Sequence, residues 1–176
     1  MIDFETKKVL FIDLDSTLIK TISGKTFPED ITDFRIQLPV LDKVIEKLIS
    51  LDCFFIVTNQ GGIGTYYTKK DIETKLESIK VFCQEYLEGH YNLNADEYIL
   101  TDYEYCDSTD KTNNRRKPNT GMLEVIVEDT MDSYNKSQML MIGDASGKPG
   151  DFSDSDKKCA ENFGIDYIDV RDFLEL

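Results

Sequence analysis

The stretch that most constrains this chain is Val9-Leu10-Phe11-Ile12 together with the acids that end it, Asp13 and Asp15. Four consecutive apolar residues, two of them β-branched, read as a strand covered on both faces, the kind found in parallel sheets between layers of helix. Open sheets of this sort bind ligands at the carboxyl ends of their strands, where Asp13 falls. Two carboxylates one residue apart repel unless a cation or a shared proton lies between them. Asp13-Leu14-Asp15-Ser16-Thr17 after such a strand therefore suggests a metal-assisted site with Asp13 as nucleophile. Plainer readings compete. Asp and Ser end many strands in ordinary turns. A calcium loop could also open this way, but Leu18 stands at its glycine position and Gly24 at its bidentate glutamate position, so that reading fails.

The rest of the chain alternates strand and helix signals. Residues 19–37 are polar, broken by Gly24 and Pro28, and too long for an ordinary connection out of a strand. A small flap over the site is expected there, carrying Lys20, Lys25, Phe27, Phe34 and Arg35. Leu41, Val44, Ile45, Leu48 and Ile49 recur at helical spacing. Residues 53–57 predict a buried strand that ends on Thr58 and Asn59. A helix from Lys69 follows, with Thr68 as N-cap, Ile72, Leu76, Ile79, Cys83 and Leu87 inward, and Gly89 as its stop. Residues 98–100 predict a third strand, then a polar segment over 102–119 containing Arg115-Arg116-Lys117-Pro118. A helix through Met122, Leu123, Ile126 and Val127 leads to a strand at 139–142, which ends in Gly143-Asp144. A Gly/Ser/Asp-rich loop runs to Asp156. A helix with Cys159, Ala160 and Phe163, capped by Gly164, precedes a last strand at 167–168, and Phe173 and Leu174 secure the C-terminus. Such alternation implies an α/β fold: a doubly wound, Rossmann-like parallel sheet, here one domain over 1–176 with the flap and no large cap domain. The polar residues that follow the strands should gather along one edge.

Composition narrows the function. A net charge of −14 argues against broad binding to nucleic acid or anionic membrane, though not against local recognition of a strand end. No apolar run is long enough to span a membrane, and Asp3 and Glu5 do not suit a signal peptide. The scattered cysteines, with no CxxC pair, are expected as reduced thiols in a cytoplasmic protein, or a nuclear one in a eukaryote. With His90 the only histidine, zinc sites and histidine-based triads are nearly excluded.

Asp13 and Asp15, Thr58, Lys117, then Gly143-Asp144 with a later acid resemble, in that order, the haloacid dehalogenase superfamily of phosphohydrolases. The resemblance covers nearly the whole chain and implies phosphoryl transfer through an aspartyl-phosphate with Mg²⁺. It gives Asp13 the attack on phosphorus and Asp15 the roles of general acid and base. Thr58, with Asn59 beside it, would hold phosphoryl oxygens, and Lys117 would neutralise charge on phosphate and nucleophile. It places the metal on the carboxylates of Asp13 and Asp144 and the backbone carbonyl of Asp15. Asp156 is chosen over Asp151 and Asp154 as the support for Lys117 and metal-bound water, because Ala160-Glu161-Asn162-Phe163-Gly164 follows it.

Longer matches give a narrower resemblance. Thr17-Leu18-Ile19-Lys20-Thr21-Ile22-Ser23-Gly24-Lys25-Thr26-Phe27-Pro28, Asp33-Phe34-Arg35-Ile36 and Arg116-Lys117-Pro118-Asn119-Thr120-Gly121-Met122 are similar to the phosphatase domain of polynucleotide kinase 3′-phosphatases. So is Gly143-Asp144-Ala145-Ser146-Gly147-Lys148-Pro149-Gly150-Asp151-Phe152-Ser153. They imply removal of a 3′-terminal phosphate from DNA, a repair step, with a 3′-phosphorylated DNA end as partner of a monomer. Lys20, Lys25, Arg35 and Arg116, with Arg115 and Lys148, are the candidate contacts. Ser16 departs from the family, which often has glycine there. A kinase half is not expected: Gly143-x-x-x-Gly147-Lys148-Pro149 is one residue short of a phosphate loop and has Pro where a magnesium-binding hydroxyl is needed. Two other readings stand beside this one. One is a histidinol-phosphate or heptose-bisphosphate phosphatase of the same superfamily, which the acidic charge favours. The other is a non-catalytic binding module on the same scaffold.

Overall fold

Strand β1 (Val9–Ile12) is buried along its whole length. Its period-2 alternation divides the core: Leu10 and Ile12 join one apolar cluster, Val9 and Phe11 the other. A continuous apolar run is what a strand with helices on both faces requires. These are features of a computed structural model that describes residues 2–25, 28, 30–91, 93, 97–130 and 133–176. Phe27 of the expected flap lies outside the described residues.

After β1 the chain forms a short antiparallel ribbon, β2 (Ile19–Lys20) with β3 (Arg35–Ile36), and this ribbon is the flap. Helix α1 (Leu38–Lys47) starts with Pro39 in its first turn, where a missing N–H costs nothing. Strand β4 (Cys53–Asn59) leads to α2 (Lys69–Glu88) and strand β5 (Leu100–Cys106) to α3 (Gly121–Thr130). Then β6 (Met139–Gly143), α4 (Ser155–Phe163), β7 (Asp166–Asp169) and α5 (Val170–Leu174) complete the chain. The main sheet has the order β5-β4-β1-β6-β7 with every pair parallel. The chain winds outward from β1 in one direction and then in the other, so the carboxyl ends of β1, β4 and β6 flank the switch point. Helices α1, α2 and α5 cover one face through Val44, Leu76 and Phe173; α3 and α4 cover the other through Leu123 and Ala160. Each large side chain buried there contributes about 1.5–3 kcal/mol.

The elements differ from the sequence reading in several places: α1 stops at Lys47, which leaves Ile49 of the expected helix outside it and exposed. The third strand runs from Leu100 to Cys106, not over 98–100, because β5 is a sheet edge. Asp102 is exposed, and Tyr103, Glu104 and Tyr105 are only half-covered, so the expected apolar run is absent. Gly89 ends α2 in a right-handed conformation (φ −68°) and does not use glycine's left-handed freedom. Gly164 does, at φ 81°. Phe173 is buried, but Leu174 is exposed and does not help to hold the C-terminus. The four cysteines are buried and unpaired. No helix among the described residues is long and apolar enough to cross a membrane.

Candidate active site

The register of the sheet sets the site. Ile12 lies opposite Ile56 on one side and Ile142 on the other, so the chain leaves the three strands at one level. Asp13 is the first residue past β1, and its N–H donates to the Ile142 carbonyl at 2.9 Å, continuing the ladder by one bond. The turn that follows brings the Leu18 and Ile19 N–H groups back onto the Leu14 carbonyl, at 3.0 and 2.9 Å. Ser16 occupies the left-handed region there, at φ 65°. A side chain is strained in that conformation, which glycine adopts freely.

Lys117 lies at the centre of the site, 3% exposed. Its Nζ donates to Asp13 Oδ1 at 2.5 Å, to Asp156 Oδ1 at 2.7 Å and to the Val57 carbonyl at 2.8 Å, one acceptor for each ammonium proton. Burial alone would lower its pKa, but the two carboxylates raise it above the ordinary lysine value, so it is held charged. Asn59 fixes the backbone beneath it: its amide donates to the Lys117 carbonyl and its carbonyl accepts the Lys117 N–H, both at 3.0 Å. Asn59, expected as a substrate contact, thus spends one amide hydrogen and its carbonyl oxygen on the Lys117 backbone.

Asp156 is 1% exposed, and its second oxygen accepts the Ala145 N–H at 3.1 Å. It presses on the end of β6 so closely that a Cβ on Gly143 would sit 2.3 Å from Asp156 Oδ2. Only glycine fits there. The other two acids of the loop are turned elsewhere. Asp151 accepts from Ser146 and Lys148 and pairs with Arg171, which holds its carboxyl down at about 2. Asp154 pairs with Lys158 on the surface.

Asp13, Asp144 and Asp156 bring carboxylate oxygens within 4.8 Å of one another. Three carboxylates against one ammonium leave a formal charge of −2. Burial pushes the Asp13 carboxyl well above its usual range, with Asp156 and Asp144 adding to the rise and Lys117 opposing it. Burial, then Asp156, pushes the Asp144 carboxyl up to about 6, again against Lys117. Oxygen donors with excess negative charge suit a hard divalent cation such as Mg²⁺. With both Asp156 oxygens engaged by protein donors, a cation here would be held directly by Asp13 and Asp144, with Asp156 behind them as a support.

Asp15 is half-buried and accepts from Gln60 Nε2 at 2.8 Å; the same nitrogen donates to Thr58 Oγ1 at 2.9 Å. Gln60 therefore positions both, and the sequence reading did not single it out. Its one signal was a place two residues past Thr58 at a strand end. Asp15 also lines a cleft of about 260 Å³ under the flap, together with Ser16, Lys20, Lys25, Arg35 and Lys75. Lys75, from α2, is a second residue the sequence reading missed. The remaining candidate cations lie away from this cleft. Arg116, expected as a substrate contact, donates to the Ser108 carbonyl at 2.7 Å and braces its own loop. Arg115 pairs with Glu104, and Lys148 with Asp172 at 2.6 Å.

Residues 8–173 match the family described as polynucleotide kinase 3 phosphatase. The chain belongs to that family. Over 180 residues it is 34% identical to the bifunctional polynucleotide phosphatase/kinase of Schizosaccharomyces pombe, covering 97% of this chain but 38% of that protein. Among solved structures it resembles a HAD-like phosphatase from Mesorhizobium loti, with a TM-score of 0.63 and 18% identity over 90% of this chain and 69% of that one. It also resembles the D,D-heptose 1,7-bisphosphate phosphatase of B. bronchiseptica in complex with magnesium and phosphate, with a TM-score of 0.54 and 17% identity over 96% of both chains. The family places the chain among phosphatases, and the two structures share its fold.

Proposed function

We propose that this phosphatase removes 3′-terminal phosphate from DNA ends, contacting only the last nucleotides of the strand. The observation that carries this reading is the cleft under the flap. In a chain of net charge −14, four cations, Lys20, Lys25, Arg35 and Lys75, line a single cleft with two acids, Asp15 and Asp33. A local basic patch beside an acidic site suits a polyanion held near its end and spares the rest of the surface.

The chain's own residues supply the chemistry. An Asp13 oxygen attacks phosphorus as the bond to the 3′-oxygen breaks, and Asp15 gives that oxygen its proton. Gln60 holds Asp15 in position for this. Asp15, now ionised, then takes a proton from the water that attacks the aspartyl-phosphate, releasing phosphate and restoring Asp13. Thr58 spends its oxygen on Gln60 and keeps its hydroxyl proton for a phosphoryl oxygen. Lys117 stays protonated throughout and offsets charge on Asp13 and the phosphoryl group. Mg²⁺ on Asp13 and Asp144 would supply the charge that lets a phosphate dianion approach these acids.

A small-molecule phosphatase is the second reading, favoured by the likeness in size and fold to the heptose bisphosphate enzyme. Phosphate release from a 3′-phosphorylated oligonucleotide, heptose 1,7-bisphosphate and histidinol phosphate separates the two. The oligonucleotide should have the highest kcat/KM, and Asp13→Asn should abolish its turnover. A sugar phosphate outcompeting it would sink the DNA reading.

A further inference from the structure

Lys75 is out of place as a surface lysine. It lies on the inward stripe of α2 between Ile72 and Leu76, and it is 6% exposed. Among the described residues its ammonium makes no hydrogen bond or ion pair; the nearest favourable group is the Phe34 ring, 4.7 Å from Nζ to its centre. Burial lowers its pKa, and Asp15 and Asp33 only partly oppose this. A buried ammonium without a carboxylate is costly, so the fold carries it at some loss of stability. Asp33 does not relieve it directly, because its carboxylate accepts the Ser23 N–H and hydroxyl at 2.8 and 2.6 Å and so pins the flap.

The flap has the same imbalance. Lys20 and Arg35 are direct cross-strand partners in the β2–β3 ribbon, both exposed and both on the cleft. Like charges opposite each other weaken a two-stranded ribbon that has little else to hold it. Two cations above and one below therefore face one cavity, which Asp15 and Asp33 also line, Asp33 with its carboxylate turned to Ser23. We infer that this cleft is a second anion subsite, in which Lys75, Lys20 and Arg35 hold a phosphate of the substrate other than the one removed. On the polynucleotide reading, on which this rests, that group is the phosphodiester on the 5′ side of the terminal nucleotide.

The test compares thymidine 3′,5′-bisphosphate with thymidine 3′-monophosphate in the presence of Mg²⁺. Removing one charge-assisted hydrogen bond to a phosphate should cost roughly tenfold in affinity. The wild-type protein should prefer the bisphosphate in kcat/KM by at least about that factor. Lys75→Met, which keeps the stem, and the paired Lys20→Gln and Arg35→Gln change should each shrink the preference, mainly through KM. Lys75→Met should also be no less stable than the wild type, since it removes an unpaired buried charge. Equal loss on both substrates would assign Lys75 a structural role and overturn the inference, as would the absence of any wild-type preference. If neither thymidine phosphate is turned over, heptose 1,7-bisphosphate is compared with heptose 7-phosphate. A Lys75-dependent preference there keeps the subsite and overturns the polynucleotide reading; no preference overturns both.

Discussion

At the scale of single residues, the site is held by a few contacts that sequence order cannot show. Lys117 spans Asp13, Asp156 and Val57, which come from three separate segments. Lys117→Met would leave two buried carboxylates facing each other without the ammonium, a change that costs about 3–5 kcal/mol when one partner of a buried pair is removed. Urea unfolding in EDTA checks this; a loss below about 1 kcal/mol, the scale of an exposed pair, would show that the lysine is not central. Ser16, strained at φ 65°, gives the opposite sign. Ser16→Gly should be neutral or stabilise by up to about 1 kcal/mol, while a β-branched Ser16→Val should destabilise by more than about 1 kcal/mol. Measured thermal midpoints in the reverse order would remove the strain argument. Asp13, Asp15 and Thr58 were legible because each ends or follows an apolar strand, and Lys117 because the Arg116-Lys117-Pro118 segment resembles that of a known family. Gln60 and Lys75 were not. Glutamine at a strand end looks like any turn residue, and a lysine inside a helical stripe looks like one whose stem snorkels to solvent. The charge at position 75, between Ile72 and Leu76, was nonetheless a visible break in the apolar pattern.

At the scale of elements, the central strands were legible because full burial writes a continuous apolar run. The edge strand β5 was not, since its Asp102 and Glu104 follow solvent and the neighbouring loop. The flap was legible only as an interruption; its ribbon is two residues a side, too short to carry a pattern. Helix α2 presents Lys75, so its start sets where that ammonium lies. Thr68 and Asp71 form a complete capping box there: the Asp71 N–H donates to Thr68 Oγ1 at 3.2 Å, and the Thr68 N–H donates to Asp71 Oδ2 at 2.9 Å. Thr68→Ala should cost about 1 kcal/mol by urea unfolding. No measurable change would mean that tertiary packing alone fixes the start of α2.

At the scale of the whole molecule, acidity and phosphate chemistry would meet through the proposed cation. A carboxyl whose folded pKa is raised opposes folding once it ionises. For Asp144 this means that the metal-free protein loses stability as pH rises from 3.8 to about 6. A divalent cation reverses that penalty, and below about pH 6 it must displace a proton to bind. The gain in thermal midpoint on adding Mg²⁺ should therefore be larger at pH 7.5 than at pH 5, and EDTA should abolish turnover at both. An equal gain at the two pH values would place the cation elsewhere. The most direct test of the whole account looks for the covalent intermediate. In Asp15→Ala the second step lacks its base, whereas p-nitrophenyl phosphate, with a good leaving group, needs little acid in the first. Mass spectrometry of that variant after exposure to p-nitrophenyl phosphate and Mg²⁺ should show one phosphoryl group on the peptide bearing Asp13, lost when Asp13→Asn is added. An unmodified protein, or a phosphoryl group on any other residue, would contradict the assignment of Asp13 as the nucleophile.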